Sequence, residues 1–442
     1  MPISSFMGLQ TSLRGLIAHQ QAMNTTGHNL ANANTVGYSR QEAVMAAMDA
    51  LVLPANSATT GAGAQLGTGV DVAQIRRIRD SFLDIQFRAK NMELGDAATQ
   101  SASLEQAELG FAEPTSDGIN ALLGRFWSAW SDLANAPESD AARTAVVRMA
   151  STLAGAFQSV HSQLTTVATQ ATNEYNAITG PDGDVDVWAR ELAQLNDVIS
   201  QAVAVGQSPN DLLDRRDFLI DRLSELAQVS VTDTGMGTVR VDFGGVTLID
   251  KTAAGGYTWP QTLTNPGGKL GALQELGDPT GPALTYRDRL DAIARDLVTS
   301  VNALHSASTG VDFFDPAGVT SDRLAVIATA ATLVTGSTTD RGRNDVANAI
   351  AQLRGGSVDR TYGALVAQVG SDVKAIRSTE AVQQALVDAI EDRRQSVQGV
   401  SPDEEMTNMI RFQRGYQASA RTMTTLDDML DTLINRTGRV GL

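Results

Sequence analysis

Apolar residues recur at alternating steps of three and four at both ends of the chain. Phe6, Leu9, Leu13, Leu16, Gln20, Met23, Gly27 and Leu30 follow the rule near the start. Met409, Phe412, Tyr416, Ser419, Met423, Leu426, Leu430 and Leu433 follow it near the finish. This is the seam spacing of a coiled coil, with two misfits in the first stretch and one in the second. Two ordinary amphipathic surface helices carry the same signature, so spacing alone leaves both readings open. The second helix has a marked start, with Ser401 as N-cap, Pro402 as its first residue and Glu404 three past the cap. Gly438 predicts its stop. Asp403, Glu404 and Glu405 fall in its first turn, where negative charge suits the helix dipole, and read as structural rather than catalytic.

Between the ends the pattern is first helical. Residues 32–38 read as the turn that ends the first helix, and the Gly/Ala/Ser/Thr-rich stretch 54–70, with Gly61, Gly63, Gly67 and Gly69, as a flexible link. No Gly-Lys-Ser/Thr follows it, so it is not a phosphate loop. Helical composition runs through 71–110, 118–135, 138–178 and 184–205, and Trp127 and Trp130 are spaced to anchor helix packing. Ser208 is expected to cap a helix that starts at Pro209, with Asp211 and Arg215 as an i,i+4 ion pair. The pattern then changes. Val229 and Val231, Val239 to Phe243, and Val246 and Leu248 alternate with polar residues between glycine turns, which predicts a small antiparallel β-rich module. Helix returns over 284–307 and again over 360–397, after a turn-rich connector at 308–345. The chain goes out through helices, makes a β excursion and comes back, so its two termini should meet.

Charge sharpens this picture. The chain has 442 residues and a net charge of −16. Residues 1–45 hold two arginines and one glutamate, and residues 401–442 hold five arginines against six acids, so the ends are near neutral and the acidity lies in 46–400. Near-neutral ends can pack against copies of themselves, while an acidic middle suits a solvated surface. The acidity argues against nucleic-acid binding. The absence of cysteine excludes disulfides, thiolate metal sites and cysteine nucleophiles. Four histidines (His19, His28, His161 and His305) leave few ways to build a metal site, and the acidic pair Asp182 and Asp184 lies in a solvated glycine turn. No catalytic, cofactor or metal residue is therefore nominated, and an enzyme is the poorest class. Apolar runs are too short to span a membrane, and no early basic residue precedes an apolar run, so no cleaved secretory signal is expected.

The ends also carry motifs. Gly27-His-Asn-Leu-Ala-Asn-Ala-Asn-Thr-Val-Gly-Tyr-Ser-Arg40 resembles the opening segment of the flagellar axial proteins, the family of rod, hook and hook-associated proteins. Its motif residues are Asn29, Asn32, Asn34, Gly37 and Tyr38. The closing segment is similar at Ser401-Pro-Asp-Glu-Glu-Met406, Arg411 to Arg421 and Thr424 to Asn435. The middle resembles the hook-associated members at the hook–filament junction, through Leu66-Gly-Thr-Gly-Val70, Arg79-Asp80, Ser208 to Asp217, Asn302-Ala-Leu-His305 and Asp312-Phe-Phe-Asp315. The part after the β-rich module is shorter than in longer members, which carry a further outer domain.

The resemblance implies a mainly α, discontinuous multidomain fold with a small β-rich module. Residues 1–45 with 401–442 would form an inner coiled coil, 46–228 with 284–400 a shell of long helices, and 229–283 an outer β module. The apolar seam residues, without Gln20, Gly27 and Ser419, would be the assembly interface. Implied partners are further copies of the chain, the flagellar hook protein, the second junction protein (hook-associated protein 3) and an export chaperone gripping residues 401–437 helix-in-groove. No nucleic acid, membrane or cofactor is implied. The implied location is extracellular, after a cytoplasmic stage and export unfolded through the flagellum's own apparatus. A hook or rod protein would share the ends but have a mostly β middle, against which the helical stretch 71–228 argues. A cytoplasmic coiled-coil adaptor is the alternative outside the family.

Overall fold

The computed structural model describes residues 6–53, 64–307, 310–317, 319–338 and 342–436. Gly61 and Gly63 of the expected link, and the expected stop at Gly438, lie outside these residues. The first helix, α1 (Phe6–Ala31), leads into four short strands, β1 (Gln41–Ala47), β2 (Leu51–Leu53), β3 (Ala64–Leu66) and β4 (Val70–Arg77). Strands β1 and β4 pair antiparallel from Gln41↔Arg77 to Ala47↔Val70, with a bulge between Val44 and Met45, and β2 pairs with β3 further along the same ribbon. This corrects two expectations. Strand β3 lies inside the stretch 54–70 read as a flexible link, and the helix expected from residue 71 is strand up to Arg77. Val70 and Val72 alternate, and Ile75 keeps to their face because the register slips by one residue at Ala73, so all three are half-buried on one side of the strand opposite β1. A two-stranded ribbon is marginal by itself. Here Arg14 of α1 donates to the Thr68 carbonyl at 2.9 Å and ties the ribbon to the first helix midway along its length.

Asp80 then caps α2 (Ser81–Phe111), its carboxylate accepting the Phe82 N–H at 2.9 Å. Three helices follow, α3 (Ile119–Asn135), α4 (Asp140–Thr179, capped by Ser139) and α5 (Asp184–Ala204). The next, α6, runs Asn210–Leu226 with Pro209 rather than Ser208 at its N-cap and no side-chain cap. Ser208 instead offers its carbonyl to the Asn210 N–H, at 2.9 Å. The strands β5 (Val229–Gly235), β6 (Thr238–Phe243) and β7 (Val246–Ile249) form a three-stranded antiparallel sheet in the order 5-6-7. Helices α7 (Gly268–Gly277), α8 (Pro282–His305), α9 (Asp345–Ala351), α10 (Ser357–Gln398) and α11 (Pro402–Asp431) complete the chain, with one π turn at Thr432–Arg436. The fold is mainly α with small antiparallel sheets.

The described residues bury two hydrophobic clusters. The larger gathers α3, α8, α9, half of α4 and parts of α2 and α10 around Phe126, Trp127, Trp130, Phe313 and Phe314. Two motifs meet there. Asn302 accepts the N–H groups of Phe313 and Phe314 at 3.0 and 2.9 Å and donates to the Phe314 carbonyl at 2.8 Å. His305 accepts the Val334 N–H at Nε2 (2.8 Å), so Nδ1 carries the proton and donates to the Val311 carbonyl at 2.7 Å. Burial pushes this imidazole's pKa down. The second cluster joins the three-stranded sheet and α7 to α5, α6 and the end of α4. Where α2 crosses α6 the backbones touch, since a Cβ on Gly95 would lie 2.2 Å from the Glu225 carbonyl oxygen.

Candidate functional site: an assembly interface

The two terminal helices lie against each other in opposite directions. Gly8 faces Leu426, Gly15 faces Ser419, the His19 ring faces Gly415 and Phe412, and Gly27 faces Met409. The face that α1 buries is made of small and polar residues: Ser12, Gly15, Ala18, Ala22, Thr25, Thr26 and Asn29. Part of this face meets α11, as Gly15 does at Ser419, and part meets the ribbon. On the α11 side Gly415 makes room for the His19 ring, from which a methyl group there would lie 2.6 Å away. Sequence reasoning missed this face because it tracked large apolar residues. The seam residues occupy other positions. Leu9, Leu16, Met23 and Leu30 of α1, and Met409, Phe412, Tyr416, Met423, Leu426 and Leu430 of α11, are half-buried along the pair. Phe6, Leu13 and Leu433 are exposed. Ile17, Met406, Ile410 and Met429, outside the predicted seam, are exposed as well. The pair thus presents large apolar side chains outward after its helices have met.

Of α11, Glu405 alone is buried among the described residues. The sequence placed it in the first helical turn with a structural role in the helix dipole. The structure places it there and adds a role that reading did not contain, at the centre of a polar lock. Arg40 Nε donates to its Oε1 at 2.7 Å, and Asn29 Nδ2 donates to its Oε2 at 3.0 Å. Asn29 uses its whole amide. Nδ2 also donates to the Gln41 carbonyl (2.8 Å), while Oδ1 accepts from the Tyr38 hydroxyl (2.7 Å) and the Gln41 N–H (2.9 Å). A buried polar group is tolerated when so satisfied, and Asn29 ties both terminal helices to the β1 corner. Burial first, then the charges of Asp211, Asp214 and Glu405, pushes the Tyr38 hydroxyl's pKa well up. The other motif residues serve the same turn. Asn32 donates to the His28 carbonyl at 3.0 Å, Gly37 sits at φ 81° against the Phe218 ring, and exposed Asn34 borders a cleft of about 860 Å³ between this turn, α6 and the α10–α11 elbow.

Below the lock lies an ionic ladder on α6. Asp211 does not pair with Arg215, which instead donates to Glu191 at 2.6 Å; its partners are Gln41 Nε2 at 2.8 Å and His28 Nε2 at 3.3 Å. Asp214 accepts the Ser39 N–H at 3.0 Å and Arg77 at 2.8 Å. Asp217 takes Arg77 at 2.9 Å. Asp221 takes Arg88 at 2.6 Å and Arg394 at 2.7 Å, and Asp84 pairs with Arg79 at 2.6 Å. Burial raises the Asp217 pKa, but Arg79, Arg77 and Arg88 outweigh it and hold the carboxyl below its usual range. Local spacing pointed to an i,i+4 pair because the true partners are distant in sequence. The available signal was the acidic face of 211–221 together with the arginine-rich run 76–79.

One constellation invites a catalytic reading. His161 Nδ1 faces Ser321 Oγ at 2.9 Å and Asp291 Oδ1 at 3.2 Å, and Ser321 also bonds Asp291. Serine and aspartate share one nitrogen, and Ser321 is fully buried, so no relay to an accessible nucleophile exists. Among the described residues no cluster of three metal-ligating side chains occurs, and no helix is long and apolar enough to cross a membrane.

Family comparisons decide among the axial proteins. The model of the flagellar hook-associated protein FlgK helical domain matches residues 104–266. That of the flagella basal body rod protein matches 9–38, and that of the flagellar basal body rod FlgEFG protein C-terminal region matches 394–436. Flagellar hook-associated protein 1 of Bacillus subtilis (strain 168) is 30% identical over 508 residues, covering 98% of this chain and 99% of the relative. The chain belongs to the flagellar hook-associated protein 1 family. As a member of this family it is a structural protein of the bacterial flagellum. The Escherichia coli (strain K12) relative is 26% identical over 97% of this chain and 99% of its own. That alignment runs to 562 positions against the 442 residues here, so the longer protein has segments without a counterpart. The Salmonella typhimurium relative is 30% identical over 68% of this chain and 50% of its own.

Proposed function

We propose that the chain forms the junction layer between hook and filament, is exported unfolded, and polymerises at the hook tip through α1 and α11. The supporting observation is the terminal pair itself. Its α1 face closes with small residues, leaving Leu13 43%, Ile17 42%, Met406 53% and Ile410 48% exposed. Burying the exposed half of such side chains against neighbouring copies supplies roughly 1 kcal/mol each, which one copy in dilute solution cannot gain. The inner domain is residues 1–45 with 401–442, built on the α1–α11 pair. The body is 46–228 with 284–400, helical from α2 onward and carrying the ribbon strands β2 to β4 before it. The outer module is 229–283, seated on α5 and α6. The partners are further copies, the hook protein and the second junction protein, with an export chaperone on the C-terminal helix before export. The working place is outside the cell, after a cytoplasmic stage, and the role is structural rather than enzymatic.

Ile410→Asp tests this reading. It charges the outward surface of the pair and leaves the α1–α11 contact alone, so the body should fold and the chain should be exported, while hooks remain bare. Immunogold labelling of intact flagella carrying the natural chain should give one band at the hook–filament boundary. Filaments growing normally on Ile410→Asp hooks, or label along the whole hook, would overturn it.

A further inference from the structure

The terminal pair with its ribbon is joined to the body by two short covalent segments, residues 78–80 between β4 and α2 and 399–401 before α11. The Arg40 N–H donates to the Gln398 carbonyl at 2.9 Å and the Arg40 carbonyl accepts the Ile78 N–H at 2.8 Å, which clasps the two junctions at one point. A pair held at one point can swing unless something else fixes its angle. We propose that the acidic face of α6 is the strut that sets this angle, with Asp211 and Asp214 as its positioning residues. The proposal rests on the terminal pair being the assembly surface.

Asp211, Asp214, Asp217 and Asp221 succeed one another at steps of three, three and four, so they share one helix face. Their partners change in order along it. Asp211 holds His28 of α1 and Gln41 of β1, and Asp214 holds the Ser39 N–H and the root of the ribbon at Arg77. Asp217 straddles the two sides, taking Arg77 of the ribbon at 2.9 Å and Arg88 of α2 at 3.7 Å, and Asp221 holds α2 and α10 through Arg88 and Arg394. The N-terminal end of the face therefore grips the pair and its ribbon, the C-terminal end grips the body, and Asp217 is shared. Asn210 adds to the grip, donating to the Gln41 side-chain oxygen at 3.1 Å and to the Ile75 carbonyl at 2.9 Å. One rigid helix thus carries both sets of contacts, and the angle between pair and body is fixed by its residue spacing. Copies stacking through their terminal pairs would then carry their bodies in one common orientation.

The test exploits the separation of the two ends. Asp211→Ala/Asp214→Ala removes the contacts to His28, Gln41 and Ser39 and leaves the pair and ribbon held to α6 through Asn210 and through Arg77 on Asp217 at 2.9 Å, while the body keeps its pairs at Asp221. In cells lacking the natural copy, the variant should be exported in normal amounts, and its tryptophan-read melting midpoint should be unchanged. The fraction of hooks bearing filaments should fall about tenfold, equivalent to about 1.4 kcal/mol of lost positional bias. Asp211→Asn/Asp214→Asn, which keeps acceptor oxygens for Gln41 and Ser39, should restore most of that fraction. Normal attachment with the alanine pair, or no rescue by the asparagine pair, would overturn the proposal. Should the alanine pair melt early, Asp211→Ala alone, exposed and remote from Arg77, decides by the same count. Ile410→Asp separates the two levels. If it abolishes attachment and the alanine pair does not, the strut alone is wrong; if it too attaches normally, the assembly surface is wrong.

Discussion

The terminal helix α11 and the body helix α3 solve opposite problems. The 30 residues of α11 bury one side chain among those described, the carboxylate of Glu405. The 17 residues of α3 bury eight, among them Phe126, Trp127 and Trp130. A helix gains most of its stability from an apolar face packed against something. By that measure α3 belongs to a self-sufficient fold, while α11 is held by one polar lock and a row of half-buried seam residues. The body can be complete in one copy, and the terminal pair leaves apolar side chains that, on the proposed function, assembly would cover.

The contrast would break first at Phe313. Its ring is fully buried and lies 5.3 Å from Trp130 and 4.8 Å from Phe314 between centroids. Phe313→Ala should cost the body about 3–5 kcal/mol. The four tryptophans, Trp127, Trp130, Trp188 and Trp259, all lie outside the terminal pair, so their emission reads the body alone. Even in this variant, a protease acting on the free chain in native buffer should trim residues 1–45 and 400–442 before it cuts the body. A loss under about 1 kcal/mol, or cutting in the body first, would mean that the two regions are not unequal as described.

Acid should separate the same two regions by pH. His19 lies between α1 and α11, and burial depresses its pKa. A depressed pKa leaves its stabilisation intact above the unfolded value of about 6.5 and removes it as pH falls below that value. Asp217 is also depressed, by the arginines that outweigh its burial. Its contribution holds above the unfolded value of about 3.9 and is lost as pH falls further. Trimming of the ends should therefore accelerate as pH falls below about 6.5. The body carries its own depressed histidine, His305 beside Trp130, and loses stability over the same range. Its apolar core leaves it a larger reserve, so tryptophan emission should change only at a lower pH than the trimming. Simultaneous loss of both signals would erase the distinction.

Most helices were legible because large apolar residues at steps of three and four, broken by Pro114, Pro137 and Gly180-Pro181, leave little choice. The strand over Val70–Arg77 was not, since its partner is Gln41–Ala47, some thirty positions away, and β pairing is set by that distant register. The motif Asn29 to Tyr38 was legible as a motif but not as a lock. Its purpose depends on Glu405, 376 positions on, and a glutamate in a first helical turn looks ordinary until the fold buries it. The small residues Gly15, Ala18 and Ala22 escaped for a related reason. Close helix approach is written in what a side chain lacks, which no count of hydrophobic positions detects.

The smallest effect tests the lock itself. The Tyr38 hydroxyl donates to Asn29 Oδ1 at 2.7 Å, and Asn29 keeps the Gln41 N–H at 2.9 Å on the same oxygen. Tyr38→Phe should therefore cost only about 1 kcal/mol, felt at the corner and not in the body. At pH 8 an alkaline-active protease should cut residues 32–41 about fivefold faster in the variant. Higher pH adds a sign test. Burial, then Asp211, Asp214 and Glu405, raises the Tyr38 pKa above its unfolded value of about 10. The stabilisation is therefore complete below about pH 10 and is lost as pH rises beyond it, because the unfolded corner ionises first. Phenylalanine has nothing to ionise, so the fivefold gap should close above about pH 10 as the natural chain loosens towards the variant. A gap that stays constant would mean that the hydroxyl is not held protonated by the acids around it, and the lock would then be packing without charge.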